Sequence, residues 1–537
     1  MESYVLDCLL CLLPCSLFFL LCLGLRWPGF CSWVNVAVRA AGWMLWVTTC
    51  LILDLPLLHG DEELKPPETS SGQTSDGPRL ICKPSALARY LLQHCGSLTK
   101  AKLADWPWGD PHLQTVSSQV CGEHADSIQF TREHLLMKDG GVVALDWANR
   151  RWEVKKEQQS GTKALGCFTS TPPVLLLIPQ TWGGTTPHLQ WLSQQAARQG
   201  FSVVVFHHRG TAGSPLTTAR ICEFGDSADL EQAVLYVRSR HPSSVLVAVS
   251  EGSGSAVLLS YLGERGSSTC LTAAAAISPV LLGQRWFESA MPPLYRWGVL
   301  FHRKMQLSRY VSSLRGILDV DRALRSSSLR DFEEALFCSP TEKVSPSTER
   351  NPASPSLRGL TSAAAWALGE RAYPAANWES YWGRNEPLRD ADEVAVPVLC
   401  ICSSDDPLLP PASTLPVSLF QSNPYFLLAL TDRGGHCGFA LDAGQQTDED
   451  TWSHIAVLEF LRVASDFLKE AERDWKSWRG QQEVNGVRGQ KSKMNAAAMS
   501  RRRRGATMKR SRPQPAGQSG VDDVDGDPFT WKRSYTR

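Results

Sequence analysis

The chain has almost no net charge: 55 Lys and Arg against 54 Asp and Glu leave +1 at pH 7 over 537 residues. No global field therefore draws it to nucleic acid, and no nucleic-acid partner is expected. Beyond the apolar N-terminal runs, none of its 16 cysteines has the spacing of a metal site. Six of them (Cys8, Cys11, Cys15, Cys22, Cys31, Cys50) sit in apolar runs at the N-terminal end, and the other ten contain no Cys-x-x-Cys pair. Cys400 and Cys402 alternate along an apolar strand, which is the pattern of small core residues rather than of ligands. No metal and no cofactor are expected.

The N-terminal region also lacks the marks of a cleaved secretory signal. Its first residues carry Glu2 and Asp7 instead of basic side chains, and no small-x-small cleavage site follows. What is there is an uncharged run, Cys8 to Leu25, broken only by Pro14 and followed by Arg26. Such a run approaches the ~20 apolar residues that cross a bilayer. A second run, Ala40 to Leu58, contains Asp54 and reads as a second span or an interfacial helix. Residues 1–60 are thus expected to anchor the protein in a membrane, the endoplasmic reticulum or another endomembrane. The alternative is secretion after signal cleavage.

Residues 61–84 begin with a Glu/Pro/Ser/Gly/Asp-rich linker, and a globular pattern covers 85–475. Apolar runs on either side of Lys138-Asp139-Gly140-Gly141 predict a β-hairpin. Apolar strands then recur at 174–178, 201–206, 245–249, 272–277, 396–401 and 425–430, with helical patterns at 187–199, 227–240 and 452–468. Continuous apolar strands between helices imply a mostly parallel sheet covered on both faces, the α/β class. Residues 284–340 interrupt the alternation with helical, aromatic-rich sequence where a lid could sit. Residues 341–370 are a Ser/Pro-rich insertion, and 476–537 are a low-complexity tail with Arg501–Arg504 and Lys509-Arg510-Ser511-Arg512. Basic clusters of this kind bind anionic lipid or nucleic acid, serve as import signals, or are simply solvated.

The stretch from Val245 to Ser255 combines a β-branched run, a cluster of very small residues and a following helical pattern. Strand, tight turn and helix are the setting of a nucleophile elbow, where small residues must stand two before and two after the apex. Two registers satisfy that condition. One places Ser250 at the apex, the other Gly252, which has no side chain to attack with.

A serine hydrolase needs an acid and then a histidine later in the chain. Asp405 and Asp406 follow an apolar strand, and Asp406-Pro407 is well placed to orient an imidazole. His436 lies in Gly434-Gly435-His436-Cys437-Gly438, on the loop after the next strand, and a histidine there can move a proton near neutral pH. The oxyanion donors are expected at the backbone of Thr181 or Gln180 and at the residue after the apex, Ser253 in the second register.

These stretches, together with Trp108–Thr115 and Val203–Gly210, resemble the α/β-hydrolase-domain (abhydrolase) family, in its subgroup of membrane-anchored esterases and lipid hydrolases. The resemblance spans roughly residues 85–475 and implies an α/β-hydrolase fold with a helical lid. It also implies a charge relay of Asp406 and His436. The subgroup's elbow reads small-x-Ser-Met-Gly-Gly. Gapless placement from Asp229 and Pro242, or from Tyr261-Leu262-Gly263, puts its serine on Gly252 and puts Glu251 where an apolar residue is usual. The resemblance therefore implies a pseudo-hydrolase linked to lipid metabolism that binds a lipid, an acyl ester or a protein. The alternatives are an active carboxylesterase or lipase acting on acyl lipids through Ser250, less favourably Ser253, and a soluble binding scaffold without a lipid link. Glu251 is expected to set its charge beside a developing oxyanion and so to oppose catalysis.

Overall fold

The computed structural model describes residues 30–56, 77–120, 128–149, 171–181, 183–289, 291–315, 317–339, 369–442 and 451–490. Residues 341–368 of the Ser/Pro-rich insertion, the apolar run Cys8–Leu25 and the basic clusters beyond 490 lie outside them, while the insertion's last two residues open the short helix Gly369–Ala372.

Nine strands form a single sheet: β1 (Arg79–Ile81), β2 (Phe130–Leu136), β3 (Val142–Ala148), β4 (Val174–Ile178), β5 (Ser202–His207), β6 (Leu246–Glu251), β7 (Ala273–Ile277), β8 (Val398–Ser403) and β9 (Phe426–Thr431). Their spatial order is β1-β9-β8-β7-β6-β4-β5-β3-β2. The six strands from β5 to β9 through the centre are parallel. The β2–β3 hairpin and β1 close the two edges in antiparallel fashion.

The sequence explains the layers. β4, β6, β7, β8 and β9 are buried along their whole length, which is why they read as unbroken apolar runs rather than as alternations. Their side chains still alternate between faces with period two. Leu176, Ala248, Ala276 and Cys400 join one core with helices Ala228–Arg240 and Gly254–Arg265. Leu175, Val247, Val249, Ala275 and Ile401 join the other with helices Pro187–Arg198 and Trp452–Gln490. Cys400 and Cys402 are buried core residues, as their pattern predicts.

The hairpin turns where predicted, with Gly140 at φ +82°. Its Asp139 reaches inward to Arg209, which also holds Asp229. Two further expectations change. The segment taken as linker, 61–84, includes β1, whose three residues are too few to show a period but pair with Leu428–Leu430 of β9. The helical, aromatic-rich segment expected over 284–340 also does not stand alone. Helix Trp378–Asn385, from beyond the insertion, supplies Trp378, Tyr381 and Trp382 to the same aromatic core as Trp286, Phe287, Phe332 and Phe337. Tyr381 donates to Glu333, and Arg303 pairs with Glu333 at 2.6 Å, so this buried carboxyl has both a donor and a cation within the aromatic core.

Candidate active site

β6 runs two residues further than expected, to Glu251, and helix Gly254–Arg265 starts immediately beyond the turn. Gly252 stands at the apex with φ +50°, a conformation glycine adopts without a Cβ penalty. Its N–H donates to Ile277 O at 2.9 Å, fixing the turn to the end of β7. The smallness of residue 254 has a direct cause: a Cβ there would lie 2.2 Å from Pro179 O and 2.8 Å from Ile178 O.

The acid and the base meet above this apex. Asp406, just beyond β8, accepts from the N–H groups of Leu408 and Leu409 and lies 2.9 Å through Oδ2 from His436 Nδ1. A methyl group built on Gly252 would sit 3.0 Å from His436 Nε2 and 3.4 Å from the Gln180 side chain. One imidazole nitrogen therefore faces the carboxylate and the other faces the apex. Burial opposes a charged His436, but Asp406 overrides it, and the net effect is a pKa well above the ordinary histidine value.

Helix Pro111–Val120 holds the histidine loop. Thr115 Oγ1 accepts from His436 N at 2.9 Å, and Ser118 donates to His436 O at 2.9 Å. Neither role is marked in the sequence beyond the i, i+3 spacing of the two hydroxyls. Asp405 takes a supporting position, accepting from Gly435 N at 2.9 Å and from the Ser403 hydroxyl. Burial pushes its carboxyl up to about 6, against those two hydrogen bonds.

The expected oxyanion residues, Thr181 and Ser253, are brought together, but the Thr181 N–H is already engaged. The Thr181 N–H and hydroxyl both donate to Ser253 Oγ at 3.1 Å. Beside them, the Gln180 amide reaches Gln119 Oε1 at 3.4 Å, while Gln180 Oε1 is buried without a hydrogen-bond partner.

Ser250 and Glu251 are not brought to His436. Both are strand residues, so alternation sends them to opposite faces of the sheet beneath the apex. Ser250 is fully buried between Ile178 and Ala276, and its hydroxyl has no hydrogen-bond partner. Glu251 was expected beside the oxyanion position. Instead it accepts from Thr186 Oγ1 at 2.8 Å and lies 3.5 Å from His188 Nδ1. His188 in turn packs on His454, with ring centroids 4.2 Å apart. Among the described residues no group of three or more His, Cys, Asp or Glu could hold a metal ion.

A mostly parallel sheet, a strand–turn–helix elbow and an Asp–His pair poised over it define the α/β-hydrolase fold, and the chain belongs to that family. It is 41% identical over 463 residues to human "Protein ABHD15", covering 86% of each chain. It is also 27% identical over 376 residues to mouse "Phospholipase ABHD3", covering 67% of this chain and 79% of the relative. A third relative is the yeast "Medium-chain fatty acid ethyl ester synthase/esterase 2", 28% identical over 387 residues with 62% and 78% covered. No model of a known family matches the chain. Among solved structures, the Pyrococcus furiosus esterase Pf2001 aligns with a TM-score of 0.34 at 14% identity, over 64% of this chain and 95% of that one.

Proposed function

We propose that the chain is a pseudo-hydrolase that binds an acyl lipid at the site beneath its lid. The observation that carries this reading is glycine at the elbow apex, facing an intact Asp406–His436 pair. A triad without its hydroxyl retains a general base and has nothing for it to activate. Ser250 cannot fill the role while the elbow keeps this geometry. Two residues of extended strand separate it from the apex by ~6.6 Å, and its side chain is buried beneath the sheet surface. The names of the relatives, a phospholipase and a fatty acid ethyl ester synthase/esterase, support an acyl chain as the ligand's recognisable part.

The same reading places the protein on an endomembrane, held by the uncharged run Cys8–Leu25. Among the described residues no helix is long and apolar enough to cross a membrane, which favours the interfacial reading of the segment after residue 40. A pseudo-hydrolase of this kind acts by presenting a bound lipid, or its lid, to a protein partner.

The test is labelling of the purified full chain with a fluorophosphonate probe. No labelling above that of a His436→Ala variant is expected. Robust labelling abolished by Ser250→Ala would establish an active serine esterase instead and overturn the proposal.

A further inference from the structure

Lid helix Pro293–Ser308 is apolar on two sides. Leu300 and Leu307 point into the lid core, as a helix of this kind requires. Leu294, Trp297, Phe301 and Met305 form a second stripe, exposed to solvent and confined to an arc of roughly 80° at 3.6 residues per turn. Trp297 is 64% exposed and its ring stacks on Phe301 with centroids 5.2 Å apart. A contiguous outward stripe of this size marks an interaction surface.

This stripe has a neighbour. His112 bonds Tyr295 OH, in the first turn of the lid helix, through Nδ1 at 2.9 Å and Pro56 O through Nε2 at 2.9 Å. One buried imidazole therefore ties the lid helix to the segment that ends helix Phe30–Ile52. That helix is pinned to the same loop by Trp46, which donates to Asp110 at 2.7 Å, and by Trp43 packed edge-on against Trp106. Its last turns expose Leu51 and Ile52, and Trp108 on the adjoining loop is 73% exposed. Thr115 and Ser118, which hold His436, lie on the helix that begins at Pro111, beside these groups.

We infer that the outward stripe of helix Pro293–Ser308, Trp108 and the end of helix Phe30–Ile52 form one bilayer-contact surface around the entrance to the candidate site. A bilayer is the occupant for three reasons. In sequence only four residues separate the uncharged run Cys8–Leu25 from helix Phe30–Ile52, so a bilayer holding that run lies within a short reach of this rim. Exposed Arg309, the residue that caps the helix, continues within about 40° of the stripe's edge, where a cation meets anionic headgroups. Tryptophan and phenylalanine beside arginine is the composition of a helix lying at the headgroup boundary, with tryptophan settling at that level. The consequence is functional: an acyl chain leaving the bilayer beside Trp297 reaches the lid without crossing water. The inference rests on the membrane location proposed above, but not on the state of the nucleophile.

The experiment places photoreactive benzoyl-phenylalanine at 297 or 301 in the full chain, reconstituted in phosphatidylcholine vesicles containing about one-fifth alkyne-tagged phosphatidylserine, an anionic surface that attracts basic side chains. Leu235, exposed on helix Ala228–Arg240, is the control position. Lipid adducts at 297 and 301 at least fivefold above the control are expected. Adducts at the control level, in protein that still resists alkaline extraction from the vesicles, overturn the inference and leave the N-terminal anchor standing. Crosslinking of 297 to a second protein chain rather than to lipid overturns it as well. Release by alkaline extraction defeats the anchor reading separately.

Discussion

At the scale of single residues, the apex glycine gives the sharpest expectation. Serine at 252 would take φ near +50°, which strains a residue with a Cβ by ~1–3 kcal/mol, and would press that Cβ to 3.0 Å from His436 Nε2. Gly252→Ser is therefore expected to melt earlier than the parent and yet to gain fluorophosphonate labelling and esterase turnover. Gly252→Ala shares the strain and lacks the hydroxyl, so it should lose stability without gaining reactivity. Equal labelling of the two variants would show that the Asp406–His436 pair cannot activate an apex hydroxyl. Ser253 holds the Thr181 N–H, so adding Ser253→Ala should raise the rate of Gly252→Ser further, by roughly tenfold, a modest share of what an oxyanion donor contributes.

Asp405 provides a second residue-scale test. Its carboxyl titrates at about 6 when folded, against roughly 3.9 in an unfolded chain. A folded pKa above the unfolded one means that the folded state prefers the neutral acid. The stability it gives is complete below about pH 4 and is lost as pH rises through 6, with a ceiling on the order of 3 kcal/mol. Asp405→Asn keeps an acceptor for Gly435 N and removes the titration. The difference in unfolding free energy between variant and parent should therefore swing in favour of the variant from pH 4 to pH 7. Denaturant titrations at that series of pH values would measure it, and a flat difference would refute the assignment.

At the scale of elements, two glycines with the same residue name have opposite meanings. Gly254 starts the helix after the elbow, where a Cβ would collide with backbone oxygens of Pro179 and Ile178. Gly298 lies inside helix Pro293–Ser308 with nothing within 4 Å of the same position. Gly254→Ala should destabilise by about 2 kcal/mol or more through overpacking. Gly298→Ala should stabilise by ~0.5–1 kcal/mol through helix propensity and a less free unfolded chain. Thermal melts of the two variants side by side check both signs. The first of these was legible in sequence, because an elbow needs small flanking residues. The second was not, since packing around a surface glycine leaves no trace in its neighbours. Element ends were the least legible feature. The reading stopped β6 at Val249, because Ser250 and Glu251 are polar, whereas both are fully buried strand residues. Its place next to the apex in the family's elbow pattern implied a Glu251 near the reaction centre, whereas alternation carries it to Thr186 and His188 on one face. Similarly, β1 was invisible because three residues show no period, and its strand pairing is with a segment more than three hundred residues away.

At the scale of the whole molecule, the order of apolar runs was enough to give the parallel centre of the sheet, and Asp406 and His436 meet because both lie on loops after adjacent parallel strands. It could not show how the edge hairpin is fastened to the centre. Arg209 does this. It follows β5, reaches Asp139 on the hairpin turn at 2.8 Å, and binds Asp229 on helix Ala228–Arg240 through Nε at 2.7 Å. All three groups are buried, and Arg220 adds a further contact to Asp139. Although burial would raise the Asp139 carboxyl, Arg209 and Arg220 lower it to about 2. A folded pKa below the unfolded ~3.9 gives stability that is present above pH 4 and lost as pH falls toward 2. Replacing Arg209 with Leu keeps apolar bulk and leaves buried carboxylates with too few cations. Removing one partner of a buried pair costs ~3–5 kcal/mol at neutral pH. In the variant the sign inverts: with Arg220 alone to serve them, the buried carboxylates gain more from a proton, so the deficit should shrink as pH drops from 7 to 5. Urea unfolding of Arg209→Leu and parent at both pH values measures the change. A deficit that is unchanged or larger at pH 5 would mean that Arg209 acts through packing alone and that the hairpin is held by its strand pairing with β5.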